Sequence, residues 1–516
     1  MKLISCTYVL LTFFLLHPTC HVLCLGPLSG TALLVFAQGP DTLWTRTYGG
    51  ALDEFGMSLQ QTADSGYVMT GWTESFGAGD VDVYLIKTNA NGDTLWTRTY
   101  GGTMEDGGNS VQQASDGGYI IAGHTYSFGA GMFDVYLIRT DSIGDTLWTK
   151  TYGGYLYDQG WSVQETSDGG YIIGGFTGLF DPLYDFWLLK TDKNGDTLWT
   201  KIYGGSLTEW CNSVRETSDG GYILAGFTGY FNDYNVYLVK TDSNGGVVWT
   251  KTYGGMHDDY AWAAEQTSDG GYIVIGWTFS YGAGDADIWL IKTNADGDSI
   301  WSKTYGGQEE DKAKWVQEIP GVGYIITGST FSTGMGGADI YLIKTDLNGD
   351  VIWANAYGGA DWDRGSVGEF TSDGGYVIAG FTKSFGGGNA DVWLLKTRPD
   401  TVGIEEHKHL RPLATILQMS PNPFSKKTDI RYGKTDNSRI DLKIYDATGR
   451  VVQEFNQLTS HQSSINQIIW DGTDHAHRPV PSGVYFLKLI ISPIRTTGSG
   501  REACEYSETR KLMLIR

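Results

Sequence analysis

Cysteine is scarce, five in 516 residues, and three of the five (Cys6, Cys20 and Cys24) fall near the N-terminus. The other two, Cys211 and Cys504, stand far apart, which excludes a disulfide framework and a cysteine-based zinc site. Proline is low at 12 and histidine at 9. Charged residues reach only 19% beside 13% aromatics, which is the wrong balance for a disordered chain. Positive charge is outnumbered: 37 Lys and Arg face 59 Asp and Glu, for a net charge of −22. Such a chain is repelled by nucleic-acid phosphates and anionic membrane surfaces, and neither is expected as a partner. Beyond the N-terminus no stretch approaches the roughly 20 apolar residues that cross a bilayer.

What is abundant is glycine, at 72, with 31 Tyr and 18 Trp. Glycine interrupts helices, while tight turns and flat rings suit many short strands packed sheet on sheet. The N-terminus stands apart from this pattern. Lys2 precedes an apolar run over 3–16, and Val35-Phe36-Ala37 places small residues before Gln38. Residues 1–37 are therefore read as a signal peptide, with an uncleaved anchor as the alternative.

Internal repetition decides the architecture. Tryptophans 44, 96, 148, 199, 249, 301 and 353 recur every 50 to 52 residues, each followed four residues later by Tyr-Gly-Gly. Between them the same segments return. In the cleanest unit they read SVQETSDGGYIIGG at 162–175 and DFWLLKTDKNGDTLWTKIYGG at 185–205. This text predicts four antiparallel strands. Ser-Asp-Gly-Gly is read as a two-residue type I′ hairpin between the first two, and Asp-Lys-Asn-Gly joins the outer two. The third strand is apolar on both faces, as in a sheet sandwiched between neighbours. Four strands every 51 residues or so make a propeller blade.

The ends set the count. DTLWTRTYGG at 41–50 is a fourth strand with nothing before it, and the last unit stops after its third strand, DVWLLKT at 391–397. The orphan fills the vacancy and closes the ring, which removes the free sheet edge. The fold class is all-β: a seven-bladed β-propeller over 38–397, then a linker over 398–418 and a β-sandwich over 419–516. The outer hairpin resembles the repeat of bacterial quinoprotein-type propellers and of propellers in secreted bacterial surface proteins. That resemblance implies blade architecture and leaves function open.

The tail carries its own motifs. Pro421-Asn422-Pro423-Phe424, the Gly449-Arg450 turn, Ser482-Gly483-Val484-Tyr485 and the terminal run from Lys511 to Arg516 stand in that order. Together they resemble the C-terminal sorting domain of type IX secretion cargo. Trp470-Asp471-Gly472-Thr473-Asp474 further resembles the immunoglobulin-like domain of flagellar hook-assembly proteins. The resemblance implies an immunoglobulin-like sandwich, the outer-membrane secretion machinery as a partner, and a secreted or surface-displayed product.

Candidate chemistry is sparse. His124 and His257 lie at non-equivalent positions, and no nucleophile–histidine–acid order or phosphate-binding loop can be assembled. TDKNGDT at 191–197 is read as a hairpin turn, not a calcium loop. One recurrence points elsewhere. Four residues after each Tyr-Gly-Gly stands an acid: Glu54, Asp106, Asp158, Glu209, Asp259, Asp311 and Asp363. They are expected around one face of the ring, as caps of their own loops or as a site for a cation or basic ligand. No cofactor is expected, calcium or another cation on that acidic face being the alternative. The same face receives variable loops whose aromatic tips, Phe76, Phe128, Phe180, Tyr230, Phe231 and Tyr281, are candidates for a sugar- or protein-binding platform. The leading expectation is an exported, monomeric, non-catalytic binder of a polysaccharide or protein. A structural display module and a carboxylate-based hydrolase or lyase are the alternatives.

Overall fold

The computed structural model describes residues 39–180, 183–400, 418–420, 425–433, 438–446, 450–455, 465–475, 478–493 and 506–514. The segment read as a signal peptide and most of the linker lie outside the described residues. From residue 39 to 400 the chain forms seven four-stranded antiparallel sheets, numbered here as first to seventh blade in chain order. The innermost strands are Glu54–Gln61, Asp106–Gln113, Asp158–Glu165, Thr208–Glu216, Asp259–Gln266, Asp311–Ile319 and Asp363–Phe370. Each touches the next around a full circle, and the seventh returns to the first, so the ring is closed around a central channel.

The closure is the one expected. Thr42–Tyr48 pairs antiparallel with Asp391–Thr397 and completes the seventh blade. Residues on both sides of the seam replace what an unbroken outer hairpin would supply. In other blades the Tyr-Gly-Gly hydroxyl donates to a glycine carbonyl in the next blade's outer hairpin, as Tyr203 does to Gly245 at 2.8 Å and Tyr305 to Gly349 at 2.7 Å. Tyr357 has no such glycine ahead of it and donates instead to the carbonyl of Pro40, at 2.6 Å.

A buried cation in each third strand stitches the first hairpin of its blade. Lys87, Arg139, Lys190, Lys240, Lys292 and Lys396 pair with Asp64, Asp116, Asp168, Asp219, Asp269 and Asp373. Burial opposes ionisation at Asp64, but hydrogen bonds from Thr62, Lys87 and the Gly66 amide, with the charge of Lys87, outweigh it and hold the carboxyl near 2. The sixth blade reads Pro320-Gly321-Val322-Gly323 where the others carry this aspartate. Its Lys344 pairs at 2.6 Å with Asp400, which lies beyond the last strand of the ring.

The core lies between the blades. Third strands are buried from end to end, for example Asp82–Thr88 and Asp287–Thr293. Their alternate faces join clusters shared with the neighbouring blades, such as Val68, Val83 and Leu85 of the first with Val111, Ile121 and Tyr136 of the second. Each repeat tryptophan packs edge-on against the tyrosine of the following blade, with Trp44–Tyr67 at 6.1 Å and Trp249–Tyr272 at 5.6 Å. It covers the outer hairpin of that following blade, not of its own. Cys211 also finds its place here. Gly174 stands where the other blades carry Ala, Thr or Ile, and a Cβ there would come 3.3 Å from the Cys211 sulfur, so the missing side chain makes room for the larger one.

The first hairpins are not type I′ turns. In the third blade Gly169 N–H donates to the Thr166 carbonyl and Thr166 N–H to the Gly170 carbonyl, and only Gly169 has positive φ, at 82°. This is a type I turn closed by a glycine bulge, which needs one left-handed residue where type I′ needs two. The outer hairpins follow the same plan, with Gly195 at 78°.

The tail forms two sheets. One joins Gln418–Ser420, Thr428–Gly433 and Ile465–Trp470; the other joins Val451–Phe455, Ser438–Asp446, Gly483–Pro493 and Tyr506–Leu514. Ile430 and Trp470 from the first meet Leu442, Ile444, Val452, Tyr485, Leu487 and Leu514 from the second in one core, which makes it a sandwich.

Candidate functional site

The seven repeated acids are inside the blades. Glu54, Asp106, Asp158, Glu209, Asp259, Asp311 and Asp363 are all buried at the start of their inner strands. Each accepts the amide of the second glycine of the preceding Tyr-Gly-Gly, as Asp106 does from Gly102 at 2.7 Å and Asp311 from Gly307 at 2.8 Å. Most also take a hydroxyl of their own blade, such as Ser127 on Asp106 at 2.6 Å or Thr228 on Glu209 at 2.8 Å. They are loop latches, with carboxylates turned into their own turns as in the first of the two readings given above, and not set out as an open acidic ring. A second acid escaped the sequence reading: the first residue of the third strand, as in Asp82, Asp134, Asp287, Asp339 and Asp391, is buried beside the latch of the next blade. Burial first, partly offset by the Met335 amide, and then the charge of Asp363 push Asp339 up to about 6.

The loop-tip rings divide. Phe76, Phe128 and Tyr281 lean on third-strand rings of their own blades, Tyr84, Tyr136 and Trp289, at 5.7, 5.8 and 5.3 Å. Phe385 does the same on Trp393 and was missed. In the fourth blade the loop read as variable is a tight hairpin with Tyr230 opposite Asp233, and Tyr230 and Phe231 stand exposed at its tip. The side chain of Phe180 lies outside the described residues.

The surface that differs from blade to blade is the channel wall. In every inner strand the register slips by one residue, leaving a single bulged residue: Met57, Asn109, Trp161, Asn212, Trp262, Lys314 and Ser366. The bulge follows from the glycine opposite. A Cβ on Gly71 would lie 1.7 Å from the Phe55 carbonyl oxygen, and on Gly276 1.8 Å from that of Tyr260. Only glycine permits so close an approach, and a bulge re-aims the side chain it carries. Of the residues two places before the bulged ones, Phe55, Trp210, Tyr260, Lys312 and Arg364 join the lining.

These positions bring unlike chemistry together. Trp161, Trp210, Asn212, Phe227, Tyr260, Trp262, Trp277 and Lys312 are among the lining of a cavity of about 370 Å³, within the range of small-ligand sites. Trp161 meets Trp262 edge-on at 5.7 Å and Trp210 at 6.0 Å, while Trp262 stacks on Trp277 at 5.4 Å. Asn212 donates to the Ala261 carbonyl at 2.8 Å, leaving its Oδ1 buried and unpartnered, as is Trp161 Nε1. A second cavity, sharing Trp277 and Lys312 with the first, adds Phe55, Met57, Lys314 and Arg364. Lys314 Nζ lies 4.5 Å from the centre of the Trp262 ring. Burial first, then the charges of Arg364 and Lys312, bring its ammonium down to about 8. The signal was legible: within the repeat, the first and third residues after the constant acid range over aromatic, amide, cationic and small side chains from blade to blade.

The far end of the channel is a ring of staples. Gln60 Oε1 accepts the Gln113 amide of the next blade at 2.6 Å, Gln112 that of Glu165 at 2.6 Å and Gln164 that of Glu216 at 2.8 Å. Two blades carry an acid here. Burial pushes Glu369 up to about 7, opposed by the Gln61 amide, and Glu265 to about 7 against the charge of Arg215. The unfolded value is 4.5. A folded value above it means that the protonated carboxyl favours the fold. Stability therefore falls as pH rises from 4.5 through 7, and above 7 the cost is constant. Glu369→Gln keeps the acceptor oxygen and removes the charge. It should stabilise the ring by about 1 kcal/mol at pH 8, discounted for partial solvent access, and by nothing at pH 4. Paired thermal melts at the two pH values check this, and Glu265→Gln should gain less because it also removes the attraction between Glu265 and the nearby charge of Arg215.

Of the sorting-motif residues, Pro421, Asn422, Pro423, Phe424, Gly449 and Arg516 lie outside the described residues. Arg450 is exposed and bonds Asp446 at 3.0 Å across its turn. Ser482 precedes the strand that Gly483 opens, Gly483–Pro493, and the backbone of Lys511 pairs with Phe486. Residues 418–497 match the secretion system C-terminal sorting domain family. The chain thus carries a type IX export signal and is destined for the cell surface or the extracellular space. A stretch of 134 residues is 29% identical to the regulatory protein FlaEY of Caulobacter vibrioides (strain ATCC 19089 / CIP 103742 / CB 15), covering 23% of this chain and 14% of that protein's length. Among solved structures the chain is similar to Sqt1 from Chaetomium thermophilum, at 11% identity and a TM-score of 0.41, over 67% of this chain and 83% of that one. It is also similar to the β-propeller domain of the Trilobed protease from Pyrococcus furiosus, at 10% identity and a TM-score of 0.34, over 69% and 96%. The propeller assignment here rests on the strand pairing itself.

Proposed function

We propose that this exported propeller is a carbohydrate-binding protein that holds its ligand at the mouth of the central channel. One observation carries the reading: at the bulged positions, where backbone geometry is the same in every blade, the side chains are unlike. Asn109 and Asn212 serve the fold by donating to the next blade's carbonyls. A ring needed only for display gains nothing, however, from the indoles and cations at the equivalent positions. The indoles cluster on one side, with Trp161, Trp210, Trp262 and Trp277 around one cavity. Flat indoles receive the apolar C–H face of a sugar ring, and rigid aromatics bury area at low entropic cost. Two polar atoms of this wall, Trp161 Nε1 and Asn212 Oδ1, are buried there without a hydrogen-bond partner among the described residues. Sorting to the cell exterior puts such a site where polysaccharides are met.

The test is a glycan array probed with the full chain and with the double variant Trp161→Ala, Trp262→Ala. Each ring removed should cost about 1–3 kcal/mol, so the pair should weaken binding at least about 30-fold. Glycan binding left unchanged by the double variant, or shifted by Tyr230→Ala and Phe231→Ala instead, would move the site to the loop tips.

A further inference from the structure

The channel holds a feature that a neutral sugar would not require. In a chain of net charge −22, three cations converge on one stretch of wall: Lys312 and Lys314 from the sixth blade and Arg364 from the seventh. Lys312 is paired with Glu310 at 2.9 Å. Among the described residues, Lys314 and Arg364 have no carboxylate at ion-pair distance. They lie over aromatic faces instead: Lys314 over Trp262, and Arg364 over Trp362 at 4.8 Å and Phe331 at 5.4 Å. Arg364 Nε is buried and has no hydrogen-bond partner. A ring face attracts a cation without neutralising it or filling its donor positions, so the N–H groups stay available. Like charges held together in a partly desolvated channel raise one another's energy, and an anion between them relieves that cost.

Resting on the carbohydrate reading above, we infer that the ligand is an acidic saccharide, whose ring stacks on the Trp161–Trp262 wall and whose carboxylate or sulfate meets Lys314 and Arg364. The geometry ties the two halves. Trp262 is both part of the stacking wall, 5.7 Å from Trp161, and the ring beneath Lys314 Nζ, at 4.5 Å. A sugar stacked on Trp161, at the edge of that indole, therefore presents a ring substituent toward the ammonium without leaving the wall. Trp277 repeats the arrangement with Lys312 at 5.3 Å. The overall negative charge adds selectivity. Polyanions are repelled by the outer surface, so an acidic chain gains from the channel only where its charges enter it.

The experiment is titration calorimetry on the full chain with four probes. These are trigalacturonate, the same trimer with its carboxyls reduced to alcohols, a chondroitin sulfate hexasaccharide, and a glutamate hexapeptide. One or both acidic saccharides should bind, at least tenfold tighter than the reduced trimer, and should weaken between 50 and 200 mM salt. Lys314→Met with Arg364→Gln should erase the advantage of charge while thermal melts show the fold intact. Lys201→Met, on an outer strand, should change nothing. If the reduced trimer binds as well as its acidic parent, the inference falls and the carbohydrate reading stands. A glutamate peptide binding as tightly as the saccharides would replace the sugar with an acidic protein segment. If no probe binds, both readings fall.

Discussion

Replacing Asp400 by alanine should destabilise the propeller by about 3–5 kcal/mol, more than the loss of any of the six aspartates that pair with the third-strand cation in the other blades. Asp400 accepts Lys344 Nζ at 2.6 Å, the Tyr376 hydroxyl at 2.9 Å and Trp353 Nε1 at 3.3 Å. All four side chains are buried. It thereby ties the third and fourth strands of the sixth blade to the second strand of the seventh, next to the seam. Burial, with the charge of Asp400 behind it, raises the Tyr376 hydroxyl strongly, so that phenol stays a donor at any physiological pH. The equivalent carboxylates elsewhere are more than half exposed, 57% at Asp64 and 51% at Asp373, and water replaces them when they are cut away. Asp64→Ala should therefore cost about 1 kcal/mol. A chain ended after Thr397 should behave like Asp400→Ala, although every strand of the ring is present. Urea unfolding followed by tryptophan fluorescence separates the cases, and equal losses for Asp64→Ala and Asp400→Ala would show that the seam depends on strand pairing alone.

The contrast between Asp400 and Asp64 also shows what the sequence could disclose. Periodicity made the blades, their number and the closing strand legible, because Trp44 and its six equivalents mark a spacing that only a repeated unit produces. It did not draw attention to the aspartate missing at Pro320-Gly321, nor to the residue that replaces it. Asp400 belongs to no repeat and lies 56 positions from Lys344 along the chain. The seven latch acids make the converse point. Constancy across repeats marks what every blade needs, and every blade needs the Tyr-Gly-Gly turn pinned, so Glu54 and its counterparts are buried in backbone work. A site that binds one ligand on a symmetric scaffold is written in the positions that differ, and those are Trp161, Asn212, Trp262 and Lys314. Their direction depended on the bulge. Simple alternation puts residues one and three places after the acid on the same face, but it does not say that the second of them is released from pairing and turned into the channel.

That bulge supports the strongest joint prediction for stability and binding. Gly276→Ala should cost about 3 kcal/mol of stability and abolish saccharide binding together. The new methyl would lie 1.8 Å from the Tyr260 carbonyl oxygen and 2.9 Å from Ala261 Cα, both backbone atoms of the inner strand. No side-chain rotation relieves a clash with backbone, so the strand must move away from its partner. The residues on that stretch are Tyr260 and Trp262, one on each side of Ala261, which is fully buried against the fourth blade. The strand cannot shift without dislodging Ala261 from that interface or drawing Trp262 out of its stack on Trp277. The control is Gly270→Ala, in the first hairpin of the same blade. Gly270 has φ 84° with open space around its α-carbon, so alanine pays only for a left-handed backbone, about 1 kcal/mol. Both variants remove one glycine from one blade, yet only Gly276→Ala should change the near-ultraviolet circular dichroism of the indole cluster and the calorimetric affinity. If Gly276→Ala lost stability but bound as tightly as the parent, Trp262 would be shown to hold its place without the bulge.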